Sequence, residues 1–283
     1  MAFLTVRPYK TSSVRGFSLV ELSIVVAIIS VVATLGLEVA ANFVNRTSNS
    51  VSRERLKVVD EATAAFFKAF GRLPCPANKT LAPVPVNNYG LEDCSLAVIT
   101  GTTIGGGLMA GAVPYRSLNL PAIYSLDGFN SKFNYVVTKH LTSAGFGATQ
   151  FGNAANWAGI EIRTGVLEQP CSTTKCQILA NPDVTTKTGA AYLVFSSGAD
   201  QRGAVSARGV NLKTCANPVA LSEFRVDTQN CVFGSAAIQG FMNVGGVAST
   251  IPNNVFYDNR TNAGLNRASY FDDVVAWRPR SQL

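Results

Sequence analysis

Residues 15–37 read RGFSLVELSIVVAIISVVATLGL, and this stretch decides how the rest of the chain is interpreted. The run from Phe17 to Leu37 is apolar apart from a few hydroxyls and one charged side chain, Glu21. A helix of about 20 apolar residues is long enough to cross the roughly 30 Å hydrocarbon core of a bilayer. The sequence therefore predicts a transmembrane helix over residues 17–37.

The segment before this run is short and basic. It carries three positive side chains and no acid. A secretory signal peptide places its apolar region before the cleavage site, whereas here the apolar run follows Gly16. Positive charge on the N-terminal flank of an apolar helix keeps that flank in the cytoplasm. We therefore expect residues 1–16 to be a cytoplasmic leader and the chain beyond the helix to be exported.

The helical pattern continues past the apolar run. Beyond Glu38 the apolar side chains recur every three to five residues, as they do along one stripe of a helix. Gly71 ends this pattern, and two prolines soon after it prevent the helix from resuming. We predict one helix over residues 17–70, with an apolar half for lipid and an amphipathic half, residues 38–70, for docking on a globular domain.

Cysteine usage points to disulfides. The six cysteines are Cys75, Cys94, Cys171, Cys176, Cys215 and Cys231. One histidine and no C-x-x-C motif disfavour a zinc site, while an exported domain favours disulfide pairing. Many connectivities are open to six cysteines, and the pairs 75–94, 171–176 and 215–231 are preferred because each closes a short loop.

Residues 71–283 form the predicted globular domain, which is rich in Gly, Pro, Asn, Ser and Thr with short β-prone runs. The candidate strands are Phe133–Thr138, Gly159–Leu167, Ala190–Phe195 and Asp273–Trp277. The glycine-rich stretch Thr100–Gly111 is predicted to be a loop, and residues 201–270 show no clear pattern. The expected class is α+β, a long helix packed on a small, mainly antiparallel sheet with a disulfide-stapled, loop-rich C-terminal region.

Composition and motifs argue against several function classes. The formal net charge of +7 falls to +4 without the three leader bases, so nucleic-acid binding is not favoured. No G-x-S-x-G, H-E-x-x-H or G-K-[ST] sequence is present, and His140 is the single histidine. We expect no enzymatic activity.

The junction Arg15-Gly16-Phe17-Ser18-Leu19-Val20-Glu21-Leu22 resembles the class III leader of type IV prepilins and type II secretion pseudopilins. The resemblance implies that a prepilin peptidase cuts after Gly16 and methylates Phe17. It also implies a role for Glu21 in assembly, because the amine created on Phe17 needs an anionic partner when packed among apolar helices. Weaker likenesses follow in the family's order, at residues 71–77, 113–121, 127–128, 133–137, 191–200 and 271–277.

The resemblance implies a pilin-like fold and a structural role as a major or minor subunit of a type IV pilus or a type II secretion pseudopilus. The implied partners are the prepilin peptidase, other pilin or pseudopilin subunits and the inner membrane, with the assembly platform and its ATPase acting indirectly. The implied topology is a single pass with a periplasmic C-terminal domain before filament assembly. A globular part of 213 residues keeps an alternative open, a minor tip pilin with an adhesive or DNA-binding module.

No cofactor is required by this reading, although calcium is an open alternative. Asp200, Asp272 and Asp273 would meet if the late turn and the closing strand are neighbours, and oxygen ligands of this kind suit calcium. Major pseudopilins have a calcium site in a similar late loop, but their spacing is not kept here. Solvated turn acids are the simpler interpretation of the three aspartates.

Overall fold

The computed structural model describes one long helix and the sheets of the globular domain. The described residues are 18–84, 88–99, 107–143, 159–165, 176–180, 189–199, 201, 203–213, 243–244, 247–248, 255–257, 274–279 and 282–283. The chain forms two compact units, Met1–Asn45 and Arg46–Leu283.

The helix α1 runs from Leu19 to Phe70. Gly71 ends it, because its φ of 65° lies in the left-handed region that favours glycine. The N–H of Gly71 donates to the carbonyl of Phe67 at 2.8 Å, and the predicted end of the helix at Phe70 is confirmed. In the part of the chain that the structure describes, no helix combines the length and the apolar character needed to span a bilayer.

Short strands within the described residues form three sheets. They are β1 (Val98–Ile99), β2 (Leu108–Ala112), β3 (Asn134–Thr138), β4 (Glu161–Gly165), β5 (Cys176–Ala180), β6 (Ala190–Ser196), β7 (Asn243–Val244), β8 (Val247–Ala248), β9 (Val255–Tyr257) and β10 (Val274–Pro279). The main sheet has the order β1-β2-β3-β6-β10 and is antiparallel throughout. A second sheet has the order β5-β4-β9, in which β4 and β9 are parallel, and β7 pairs with β8.

Two apolar clusters cover the two faces of the main sheet. The first contains Leu56, Val59 and Phe66 of α1 with Tyr135, Val137, Tyr192 and Val194 of β3 and β6. The second contains Val136, Leu193 and Phe195 of the same strands with Ile160, which precedes β4, and with Ile162 and Ala180 of the second sheet. Strand side chains alternate between faces, so a strand covered on both sides has no exposed position. All seven residues of β6 are buried for this reason.

The sequence located the principal strands but missed β2. The strands expected near 133–138, 190–195 and 273–277 are present with ends shifted by one or two residues, and the strand expected over 159–167 is described as Glu161–Gly165. The predicted loop over Thr100–Gly111 is wrong at its C-terminal end, because Leu108–Ala112 is a strand.

The glycines of this stretch predicted a loop, but Gly111 lies in β2, where it allows another backbone segment to approach closely. A Cβ added at Gly111 would lie 2.3 Å from the carbonyl oxygen of Ala77. Ala77 and Ala112 exchange two backbone hydrogen bonds of 2.8 Å at this point. The glycine therefore lets another segment approach the strand.

An ion pair ties the second half of α1 to the main sheet. The carboxylate of Asp60 accepts hydrogen bonds from the Tyr192 hydroxyl at 2.6 Å and from Arg278 Nη2 at 2.7 Å. Burial and the adjacent carboxylate raise the pKa of Tyr192, so its hydroxyl stays protonated and donates. Helix, β6 and β10 therefore meet at one polar contact.

The loop that follows the 3-10 helix Ala122–Ser125 contacts α1 at a second point. The N–H of Gly128 donates to Ser52 Oγ at 2.9 Å, and the Arg55 guanidinium donates to the carbonyls of Leu126 and Asp127 at 3.0 and 2.9 Å. A Cβ on Gly128 would lie 2.0 Å from the carbonyl oxygen of Ser48. The loop backbone therefore lies directly on the helix backbone.

Candidate functional site at the start of the helix

The first turn of α1 is closed by two reciprocal hydrogen bonds. The N–H of Glu21 donates to Ser18 Oγ at 3.2 Å, and the N–H of Ser18 donates to Glu21 Oε2 at 2.9 Å. The N–H of Leu22 donates to the Ser18 carbonyl at 3.1 Å as the first helical bond. This arrangement is a capping box, which satisfies backbone N–H groups that a helix start leaves without partners. Ser18 is therefore the N-cap of the helix.

The capping box gives Glu21 a fixed position. A carboxylate in the first turn of a helix is favoured by the helix dipole. Among the described residues, the Ser18 N–H is the one donor bonded to this carboxylate. The side chain is exposed, so an ammonium group brought alongside could bond to the same anion.

Apart from Glu21, the surface of the helix from Leu19 to Val32 is mainly apolar. The large aliphatic side chains between Leu19 and Val32 are each about half exposed or more, and Leu19 reaches 85%. Ser23 and Ser30 satisfy their hydroxyls inside the helix, by donating to the carbonyls of Val20 and Val26 at 2.8 and 2.7 Å. Glu21 is therefore the single charge between residues 18 and 32, on an otherwise apolar surface.

Sequence reasoning identified Glu21 but missed Ser18. The signal was available, because serine followed three residues later by glutamate just before an apolar run is the sequence pattern of a capping box. The predicted processing residues, Gly16 and Phe17, lie outside the described residues.

Most of the other predicted site residues also lie outside the described part of the chain. They are Cys171, Cys215, Cys231, Asp200, Asp272 and Asp273. Cys176 opens β5, but its predicted partner is not among the described residues. Calcium binding and the pairs 171–176 and 215–231 therefore stay predictions.

The predicted pair of Cys75 and Cys94 is confirmed. The two residues form a disulfide with their Cα atoms 5.2 Å apart. With Glu92 they make the one group of the described residues whose side-chain atoms could share a metal ion. The disulfide engages both sulfurs, and two hydrogen bonds of 2.7 Å from Arg72 engage the Glu92 carboxylate. The group is therefore a disulfide beside an ion pair rather than a metal site.

Comparison with known proteins bears on the start of the helix. Residues 11–37 match the prokaryotic N-terminal methylation motif. This motif is the class III leader of type IV prepilins and pseudopilins. The match covers the predicted cleavage point, Ser18 and Glu21, and it confirms the resemblance for this part of the chain.

The motif supports a pilin-like or pseudopilin-like substrate of a prepilin peptidase. Pilin-type proteins with this motif are structural subunits and not enzymes. Searches with the whole chain against curated proteins and against solved structures found no match.

Proposed function

We propose that this protein is a structural subunit of a type IV pilus or a type II secretion pseudopilus. A prepilin peptidase cuts after Gly16 and methylates Phe17, and the mature chain assembles through its N-terminal helix. The observation that carries this proposal is the methylation motif over residues 11–37, which ends inside an apolar helix that begins beside the cut.

The exposed apolar surface of the helix supports both a membrane stage and a filament stage. Burial of apolar surface contributes about 25 cal/mol per Å², and the side chains from Leu19 to Val32 offer much uncovered area. Lipid covers this surface before assembly, and the helices of neighbouring subunits cover it afterwards. The proposed topology is a single pass through the inner membrane over residues 17–37, with the leader cytoplasmic and the domain periplasmic.

Two features of the globular domain are consistent with this topology. The disulfide between Cys75 and Cys94 suits an oxidising compartment such as the periplasm. The second half of α1 packs on an antiparallel sheet, which is the arrangement expected for a pilin-like fold.

Assembly is proposed to use the anion at the helix start. A cut after Gly16 creates a free amine on Phe17, and an unpaired cation buried among apolar helices is strongly unfavourable. Glu21 is fixed by its capping box one turn away from the cut. The carboxylate of one subunit pairs with the Phe17 amine of its neighbour, and this contact sets the axial register of the filament.

Processing is tested by mass spectrometry of protein purified from membranes. The mature chain is expected to begin at Phe17 and to carry one N-methyl group. Gly16→Val should retain the leader, because a side chain at the cleavage point obstructs the peptidase. Ser12→Val is the matched control, since it places the same side chain in the leader away from the cut and should be processed normally. Native protein that still begins at Met1 in cells with a prepilin peptidase would refute the proposal.

Abundance distinguishes a principal subunit from a tip protein. A major pilin should dominate the filament fraction sheared from cells, whereas a minor tip subunit with an adhesive or DNA-binding role should be scarce in it. Quantitative blotting of sheared filaments against purified standards separates the two roles.

A further inference from the structure

An ion pair lies directly beside the disulfide. Arg72 donates through both terminal nitrogens to the two oxygens of Glu92 at 2.7 Å. The same carboxylate accepts the backbone N–H of Cys75 at 3.0 Å. Glu92 is also two residues before Cys94 in sequence. One carboxylate therefore links the segments that carry the two cysteines.

Further contacts hold the same two segments together without using sulfur. The N–H of Asp93 donates to the carbonyl of Pro76 at 2.9 Å. Glu92 forms an isolated β-bridge with Ala77, and its own N–H donates to Ser117 Oγ at 2.9 Å. None of these bonds involves a sulfur atom, so none of them requires the disulfide chemically.

Arg72 is itself held at the end of the helix. Its guanidinium lies 5.2 Å from the centroid of the Phe66 ring, within the range of a cation–π contact. Its Nη1 also donates to the carbonyl of Leu73 at 3.3 Å. The arginine fork is therefore in place to receive Glu92, and a planar fork matches a carboxylate better than a lysine does.

We propose that Arg72 and Glu92 are positioning residues that select the pairing of Cys75 with Cys94 in a chain that has six cysteines. The ion pair brings the two thiols together in the reduced chain, which raises the effective concentration of one thiol at the other. The four remaining cysteines then compete poorly for either partner.

The different exposure of the two cysteines sets the order of the covalent steps. Cys75 is fully buried, whereas Cys94 is exposed. The Cys94 thiolate attacks a donor disulfide, forms a mixed disulfide and releases one donor thiolate. The Cys75 thiolate then attacks the Cys94 sulfur and releases the second donor thiolate. Two electrons pass to the donor disulfide, and the protons of the two cysteine thiols pass to solvent.

The test measures the effective concentration of the pair in the full chain. Reduced protein in detergent is equilibrated with mixtures of reduced and oxidised glutathione, quenched with acid, alkylated and mapped by non-reducing peptide mass spectrometry. Glu92→Gln should lower the effective concentration for Cys75 and Cys94 about tenfold, as expected for loss of one charge-assisted contact. It should also increase links from these two cysteines to the other four.

Two further variants make the result specific. Glu61→Gln is the matched control, because Glu61 is an exposed carboxylate whose ion pair with Lys57 spans 4.0 Å, and it should behave as the wild type does. Arg72→Lys keeps the charge but loses the planar fork, so it should lower the effective concentration less than Glu92→Gln does. If Glu92→Gln does not fold, Arg72→Lys is the variant that tests the proposal. Wild-type effective concentration and pairing in Glu92→Gln, or in Arg72→Lys where it alone folds, would overturn the proposal.

Discussion

Substitutions at the helix start separate two roles of Glu21, capping its own helix and pairing with a neighbouring subunit. Glu21→Gln keeps an oxygen that can accept the Ser18 N–H, because glutamine also serves in capping boxes, but it removes the charge. Glu21→Ala removes both the cap contact and the charge. Ser18→Ala removes the hydroxyl that accepts the Glu21 N–H at 3.2 Å and leaves the charge in place.

The two roles differ in the free energy that is lost when each is removed. Each capping contact is exposed and involves one hydrogen bond, so losing it should cost about 1 kcal/mol of helix stability. Removing one partner of a buried ion pair typically costs about 3–5 kcal/mol, and that penalty recurs at every subunit added to a filament. Loss of pairing should therefore reduce assembly far more than loss of capping does.

Incorporation is scored by shearing cells and blotting the filament fraction against the membrane fraction. Glu21→Gln and Glu21→Ala should both be processed and membrane-inserted yet nearly absent from filaments, while Ser18→Ala should assemble close to the wild-type level. If Glu21→Gln assembles normally and Ser18→Ala fails together with Glu21→Ala, the carboxylate acts as a cap and the intersubunit pair is refuted.

Three further predictions concern the globular domain. Gly128→Ala should destabilise the domain by about 1–3 kcal/mol in chemical denaturation, because the new Cβ meets the Ser48 carbonyl oxygen at 2.0 Å; unchanged stability would contradict the close contact. Tyr192→Phe should cost about 1–2 kcal/mol, since Asp60 loses the 2.6 Å bond but keeps its arginine partner. Burial lowers the pKa of Lys132 from 10.5 to about 8. Between pH 8 and 10.5 the unfolded chain therefore binds more protons than the folded chain, so the contribution of this group to the free energy of unfolding should rise with pH. Lys132→Met should remove this rise in denaturation midpoints measured across that range.

The candidate site was largely readable from the sequence because its signals are local. The apolar run, the glycine before Phe17 and the acid at Glu21 lie within a few residues of one another, and the family match confirms that region. The capping partner Ser18 was missed although its pattern was present. The end of the helix at Phe70 was also readable, because a glycine that adopts a positive φ acts on the turn next to it.

The pairing of Cys75 with Cys94 was favoured from the sequence because short loops close easily. Its surroundings were not foreseen, since the Arg72–Glu92 contact joins residues 20 positions apart. Similarly, the sequence predicted a strand over Gly159–Leu167, but it did not show that a second sheet would cover the main one.

Only the tertiary structure decided which irregular segments join the fold. The glycine-rich stretch before Ala112 contains β2 because β3 and the segment at Ala77 pair with it. Residues 203–213 form a hairpin-like loop that is fixed in place where the N–H of Lys132 donates to the carbonyl of Val205 at 2.8 Å. Helix boundaries and caps depend on neighbours in sequence, whereas sheet membership depends on hydrogen-bond partners supplied by distant segments, which composition and periodicity do not encode.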